Sequence, residues 1–169
     1  MIETARLTLR PFAADDFEAV HALILPDAMR RFLAHEPTRE ASFRRFLAVV
    51  GGWQLYGFGT FAIVERASGA LAGTGGIFRM MRDLADFDDY PEARWIIAGN
   101  CWGRGYATEA MAAAHGWFDD RFGRQRTGCM ISPGNTASER VATRLGYKPL
   151  REASYLGEAV MLYARVPNG

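Results

Sequence analysis

Between the apolar segment Glu92–Ile97 and the alanine-rich run that follows, the chain reads CWGRGYATEA, Cys101 to Ala110, with glycines at 103 and 105 around an arginine. Glycine is a poor resident of either element, so two of them at a strand-to-helix junction require a reason. A tight turn is one. The other is close approach of a ligand to the backbone. The first N–H groups of a helix have no internal partners and carry the positive end of its dipole, which makes such a turn an anion cradle. A junction of this kind constrains the fold directly, because it demands a strand that ends where a helix begins.

The rest of the pattern supplies that context. Arg6 to Arg10 alternates, with Leu7 and Leu9 on one face, as a half-buried strand does. In DDFEAVHALIL, Asp15 reads as an N-cap with Glu18 three residues on, and Phe17, Val20, Leu23 and Ile24 form a helical stripe. Phe43, Phe46, Leu47 and Val50 make a second stripe, with Gly51 and Gly52 expected to end that helix. FGTFAIVER and LAGTGGIF flank Ala67, Ser68 and Gly69 as a hairpin. An irregular acidic loop from Arg79 to Tyr90 leads to the strand EARWII. The glycine turn then opens a helix expected over residues 106–122, whose buried face carries Ala107, Met111, Ala114 and Phe118. TGCMIS is a strand, Asn135 caps a helix that Gly146 terminates, and EAVMLYARV is a closing strand. The order β-α-α-β-β-β-α-β-α-β-β predicts a mixed α+β domain spanning 1–169.

Composition narrows the function classes. The chain has 169 residues, 49% hydrophobic and 23% charged, with a formal net charge of +1, which argues for a globular core and against a nucleic-acid footprint. Its apolar runs are too short to span a bilayer, and no signal core precedes Arg6, so a cytoplasmic location is expected. Cys101 and Cys129 lack CxxC spacing and the histidines at 21, 35 and 115 are scattered, so no metal site is expected.

Two nucleotide signatures fail at the turn. No lysine follows Gly105, as a P-loop requires, and Thr108 stands where a dinucleotide fingerprint needs its third glycine. A third pattern fits: WGRGYATEA after one apolar strand and NTASERVATRLGY after the next resemble the GNAT superfamily of acyl-CoA-dependent N-acyltransferases. Within it, the chain is similar to the branch of ribosomal-protein alanine N-acetyltransferases. The superfamily motif is Gln/Arg-x-x-Gly-x-Gly/Ala. Here Trp102 takes its first position, Gly105 the glycine and Ala107 the last, and the tryptophan is a departure familiar in this branch.

The resemblance implies a six- to seven-stranded mixed sheet with splayed middle strands and helices on both faces. It implies acetyl-CoA as acyl donor, its pyrophosphate on the amides of Trp102, Gly103, Arg104, Gly105, Tyr106, Ala107 and Thr108. The pantetheine arm would lie along EARWII, with Ile97 and its neighbours giving backbone contacts and the Asn135 amide another; Asn135 is equally readable as a simple cap. The other partner would be a primary amine, a protein N-terminus or a small molecule, with a homodimer as a further expectation. A non-catalytic acyl-CoA-binding or regulatory domain of the same fold is the alternative reading.

The chemistry is attack of a neutral amine on a thioester, with proximity supplying most of the rate. Glu92, ten residues before Trp102, is the first choice of general base, against the reading of a solvated carboxylate at a strand start. Many family members place a tyrosine seven residues after the helix-opening asparagine; here that position is Ala142. Ser138 is the nearest hydroxyl and the candidate acid, with a local backbone bond as its other reading. Tyr147 and His115 read as packing residues, and Glu109 as a complement to the helix dipole.

Overall fold

The computed structural model describes residues 1–30 and 38–166. Its strands are β1 (Ile2–Glu3), β2 (Leu7–Arg10), β3 (Thr60–Glu65), β4 (Leu71–Phe78), β5 (Glu92–Ile97), β6 (Thr127–Ile131), β7 (Lys148–Tyr155) and β8 (Glu158–Arg165). They form one eight-stranded sheet in the order β1-β2-β3-β4-β5-β6-β8-β7. The strand beyond the six or seven expected is β1, whose two residues pair Ile2 with Leu9 and Glu3 with Thr8. It is too short to show any periodicity. The helices are α1 (Phe17–Ala22), α2 (Asp27–Arg30), α3 (Arg39–Tyr56), α4 (Tyr106–Phe122) and α5 (Thr136–Arg144). Among the described residues no helix is long and apolar enough to cross a membrane, and no group of three or more His, Cys, Asp or Glu is placed to hold a metal ion.

Alternation along β5 shows how both faces of the sheet are used. Ala93 and Ile97 enter the apolar clusters under α4, with Ala110, Ala114 and Tyr106 around Ile97 and with Met111 and Phe118 around Ala93. Arg94 and Ile96, one step out of phase, face a cavity shared with residues of α1 and α3. The second cluster also takes in Ala142 of α5, Cys129 and Ile131 of β6 and Tyr163 of β8, which ties the two halves of the sheet together through α4.

Two local expectations are corrected. Gly51 and Gly52 do not end α3; the helix runs on to Tyr56 and stops at Gly57, whose φ of 73° is left-handed. Packing on either side overrides the ~1 kcal/mol each glycine costs a helix. Phe46 meets the Phe17 ring at 5.7 Å, while Trp53 meets Phe61 at 4.8 Å and Trp117 at 5.6 Å, and donates from its indole to the Thr60 carbonyl at 2.9 Å. The N-cap residue of α1 is Asp16 rather than Asp15, and its carboxylate bonds back into the preceding 3-10 turn rather than to an α1 amide. Asp16 accepts from the Ala13 amide at 2.7 Å and from both Arg10 amino groups at 2.7 and 2.8 Å. That second partner pulls the carboxylate inward, and Asp15 is left in the 3-10 turn Ala14–Asp16 before the helix.

Candidate functional site

β5 and β6 are parallel neighbours held together by a single register pair, Glu92 with Gly128, and by the Gly128 amide donating to the Pro91 carbonyl at 2.9 Å. By contrast β5 pairs with β4 over six positions, Gly73↔Ile97 to Phe78↔Glu92, and β6 with β8 over five. The sheet is thus joined at the amino ends of β5 and β6 and open toward their carboxyl ends. The Ala98 amide bonds the Ala72 carbonyl of β4, so alternation turns the backbone groups of Ala93, Trp95 and Ile97 toward the opening. Both α4 and α5 begin beyond that open end, which places two helix N-termini at the mouth of the gap.

At the first mouth, Gly103 and Gly105 have φ of 73° and 79°, values that a side chain disfavours and that turn the chain directly into α4. Glu109 is the first residue to bond back, to the Gly105 carbonyl at 3.1 Å. Among the described residues, no acceptor meets any backbone N–H from Gly103 to Thr108. Space is available for a ligand. A Cβ on Gly103 would meet nothing within 4 Å, and one on Gly105 only the end of Arg6 at 3.5 Å. A row of unpaired donors at a helix N-terminus suits a phosphate.

Trp102 has a different part from the one expected of its amide. That amide already donates to the Gly99 carbonyl at 3.2 Å, and the indole Nε1 donates to the Ile97 carbonyl at 2.8 Å. The side chain therefore pins the turn to the last residue of β5. The same bond engages the Ile97 carbonyl, so its backbone contribution to the gap is partly taken from within. Tyr106 is buried and donates from its hydroxyl to Glu65 at 2.5 Å. Arg104 is exposed, paired with the same Glu65 at 3.0 Å and lying 4.8 Å from the Tyr106 ring centroid. Ala107 and Thr108 fill the first turn of α4.

Sequence reasoning missed the clamp behind this turn. Glu109 accepts from the Thr4 hydroxyl at 2.7 Å and from the Arg6 amide at 3.0 Å, and pairs with the Arg6 guanidinium at 2.5 Å. Arg6 in turn donates to the Arg104 carbonyl at 2.8 Å. Glu109, with its carboxyl held below the ordinary value by Thr4 and Arg6 against the effect of burial, thus anchors the chain's first strands to the helix that carries the cradle. A contact across more than a hundred residues leaves no local signal.

At the second mouth, Asn135 accepts from the Ser138 amide at 3.1 Å through its side chain, which is the cap reading. The Ser138 hydroxyl has no partner among the described residues, and four residues on Ala142 is buried in the core under α4. Tyr147 and His115 are core residues joined to each other. The Tyr147 hydroxyl lies 2.8 Å from both His115 Nε2 and Thr127 Oγ1, and His115 Nδ1 lies 2.6 Å from the Met111 carbonyl.

Glu92 lies at the closed end of the gap, away from the two helix N-termini. It is only 6% exposed, which removes the solvated-carboxylate reading, and it takes a two-point bond from Arg82 at 2.6 and 2.9 Å. Burial pushes its carboxyl above the ordinary carboxylate value, against the pull of Arg82. Arg82 comes from the acidic loop, where Asp88 accepts from the Arg82 and Asp83 amides, both at 2.8 Å. The structure does not bring Glu92 and Ser138 together: one stands where β5 and β6 meet, the other where they are farthest apart.

The fold has known counterparts. The family model described as an acetyltransferase (GNAT) domain matches residues 6–148. A structure from Bordetella pertussis, ascribed to the GNAT-family acetyltransferases, is 32% identical, covers 98% of each chain and superposes with a TM-score of 0.86. An acetyltransferase structure from Agrobacterium tumefaciens is 26% identical over 98% of this chain and 94% of its own, with a TM-score of 0.84. The Bacillus subtilis protein YkkB is 28% identical over 112 residues, which span 65% of this chain and 62% of that curated relative's length.

Proposed function

We propose, from the premise that this chain belongs to the GNAT acetyltransferase family, that it transfers an acetyl group from acetyl-CoA to a primary amine by direct attack within a ternary complex. The observation that carries the proposal is the parallel β5–β6 pair open beyond Glu92 and Gly128, with the unpaired amides of Gly103–Thr108 at its mouth. A gap between strands is where an extended amide-bearing arm adds like a strand, and a helix N-terminus is where its diphosphate is neutralised.

Acetyl-CoA supplies the thioester and its thiol leaving group. In this reading the amides from Gly103 to Thr108, with Arg104 nearby, hold the diphosphate, and the cleft-facing backbone of Trp95 and Ile97 aligns the arm. Trp102 and Asn135 keep the two mouths in shape. The amine nitrogen forms its bond to the carbonyl carbon as the carbon–sulfur bond breaks. The amine's proton passes to Glu92 through water, and the departing sulfur takes a proton from Ser138 or from solvent. Burial serves this role, because a carboxylate whose proton affinity is raised is a better base near neutral pH. A thiol is a good leaving group, with an ordinary pKa near ~8.5, so Ala142 in the tyrosine position does not stop the reaction.

The test is thiol release from acetyl-CoA across a panel of amine classes: peptides with free N-termini, amino acids, polyamines and aminoglycosides. Release with at least one class is expected. Binding of CoA with no release from any class would favour the non-catalytic reading.

A further inference from the structure

On the face of the sheet opposite α4 lies a cavity of about 40 Å³ whose wall is mostly apolar, with Phe17, Phe46 and Ile96 among its residues, and whose polar lining is Thr60, Thr74 and Arg94 from the sheet, Ser42 and Arg45 from α3 and His21 from α1. One water needs roughly 10–15 Å³ of such space, so the cavity has room for a group the size of a carboxylate or phosphate. Its polar lining is incomplete. Thr60 is 1% exposed and its hydroxyl has no partner, and neither do Ser42 Oγ and His21 Nδ1. Buried polar groups without partners are uncommon and each is expensive to maintain.

The charges are equally one-sided. Arg94 has no hydrogen bond or ion pair among the described residues, and its guanidinium lies 5.7 Å from the Phe78 ring centroid. Loss of water lowers its pKa to about 10, and the charge of Arg45 adds to that effect. The nearest carboxylate along the strand, Glu92, is already occupied by both bonds from Arg82. A planar guanidinium with no anion, beside hydroxyls with no acceptor, is the donor set of an oxyanion site.

We propose that this cavity binds the carboxylate or phosphate of the acceptor, with Arg94 as its main partner and Thr60 and Ser42 as hydroxyl donors, so that the acceptor is an amine carrying an oxyanion. The proposal rests on the acetyl-transfer reading above and narrows it. Polyamines and aminoglycosides, which would bring further cations to Arg45 and Arg94, are excluded. Glu92 precedes Arg94 by two residues on the same face of β5, a rise of ~7 Å, and lies outside the cavity lining, whose other β5 residue is Ile96.

The experiment compares matched acceptors at saturating acetyl-CoA: an amino acid, its carboxamide and the amine lacking that group, alongside phosphoethanolamine and ethanolamine. The oxyanion-bearing member of at least one set should have a kcat/KM about ten- to a hundredfold higher, the range of a charge-assisted hydrogen bond, and the set that responds identifies carboxylate or phosphate. Arg94→Gln should erase the preference while leaving acetyl-CoA affinity unchanged. Equal rates for charged and uncharged members would overturn the proposal. If no acceptor releases thiol, the transfer reading fails, and the site is judged separately by the Arg94 side-chain N–H resonance of the wild-type protein during titration with acetate and with inorganic phosphate. A saturating shift with either anion, weakened in Thr60→Val, supports the site; no shift with either overturns it.

Discussion

Trp102 stands where the superfamily motif has a glutamine or arginine, yet its indole bond to the Ile97 carbonyl gives the turn a fixed point that neither replacement need share. The role of a residue is set by where its polar atom reaches, and only some of that reach is legible in sequence. Asn135 was readable as a cap because its partner lies three residues away. The Arg82–Glu92 and Arg6–Glu109 pairs were not, because each partner is chosen by tertiary approach. The first of these pairs sets a testable conflict. Glu92→Gln leaves a buried Arg82 without its carboxylate, which should destabilise the protein by about 3–5 kcal/mol, whereas the double substitution Glu92→Leu with Arg82→Met should recover most of that loss. Urea denaturation measures both. If Glu92 is the base, the double variant stays slow in thiol release despite its restored fold; wild-type turnover there would return Glu92 to a structural role. At the cradle, Gly105→Val forces a branched side chain into a left-handed backbone and covers the amides. It should weaken CoA binding at least tenfold for a stability loss of about 1–3 kcal/mol, and calorimetry that finds CoA affinity unchanged would remove the phosphate role of the turn.

Periodicity identified the elements well where one face is buried against one partner. The helix expected over residues 106–122 is α4, Tyr106–Phe122, and the turn Ala67–Gly69 does join β3 to β4. It failed where glycine lies inside an element. The backbone at Gly51 and Gly52 stays helical because Phe46 and Trp53 are anchored on either side, a fact of packing that no window of sequence contains. A Cβ at either glycine would meet nothing within 4 Å outside the helix's own backbone. Gly52→Ala should therefore stabilise the protein by roughly 0.4–1 kcal/mol, through a less disordered unfolded chain, with turnover unchanged. A fall in melting temperature would mean that the glycine is needed for a bend in α3. Gly73 in β4 is the opposite case, since its Cβ would lie 2.3 Å from the Ile96 carbonyl, and there the strand tolerates no side chain.

For the molecule as a whole, the α4 core carries a buried imidazole that couples folding to pH on the acid side. Desolvation lowers the His115 pKa from 6.5 to about 4, so the folded chain keeps the imidazole neutral where the unfolded chain binds a proton. Its contribution is complete above pH 6.5 and is lost as pH falls toward 4, amounting to about 3 kcal/mol across that window. Denaturation curves should show this slope in the wild type and a flatter one in His115→Gln, although the variant also loses the bond to Tyr147 at every pH. An unchanged slope would place the acid sensitivity elsewhere.

The single pair joining β5 to β6 also means that this sheet has four edges rather than two. An unpaired edge in mid-sheet invites any extended chain, the usual route to aggregation. Here the invitation is restricted by shape. The Glu92–Gly128 pair closes one end, and rings of Phe87 and Tyr90 lie within 3 Å of where a Gly128 side chain would stand, which crowds that end. A strand of another protein would have to lie flat along the whole slot, whereas a slender arm with a charged tail can enter tip first and leave its charge outside at the amides. In the acetyl-transfer reading, the wedge would act as a sieve for polymer thickness, open to one flexible, narrow guest and closed to a neighbouring β-strand.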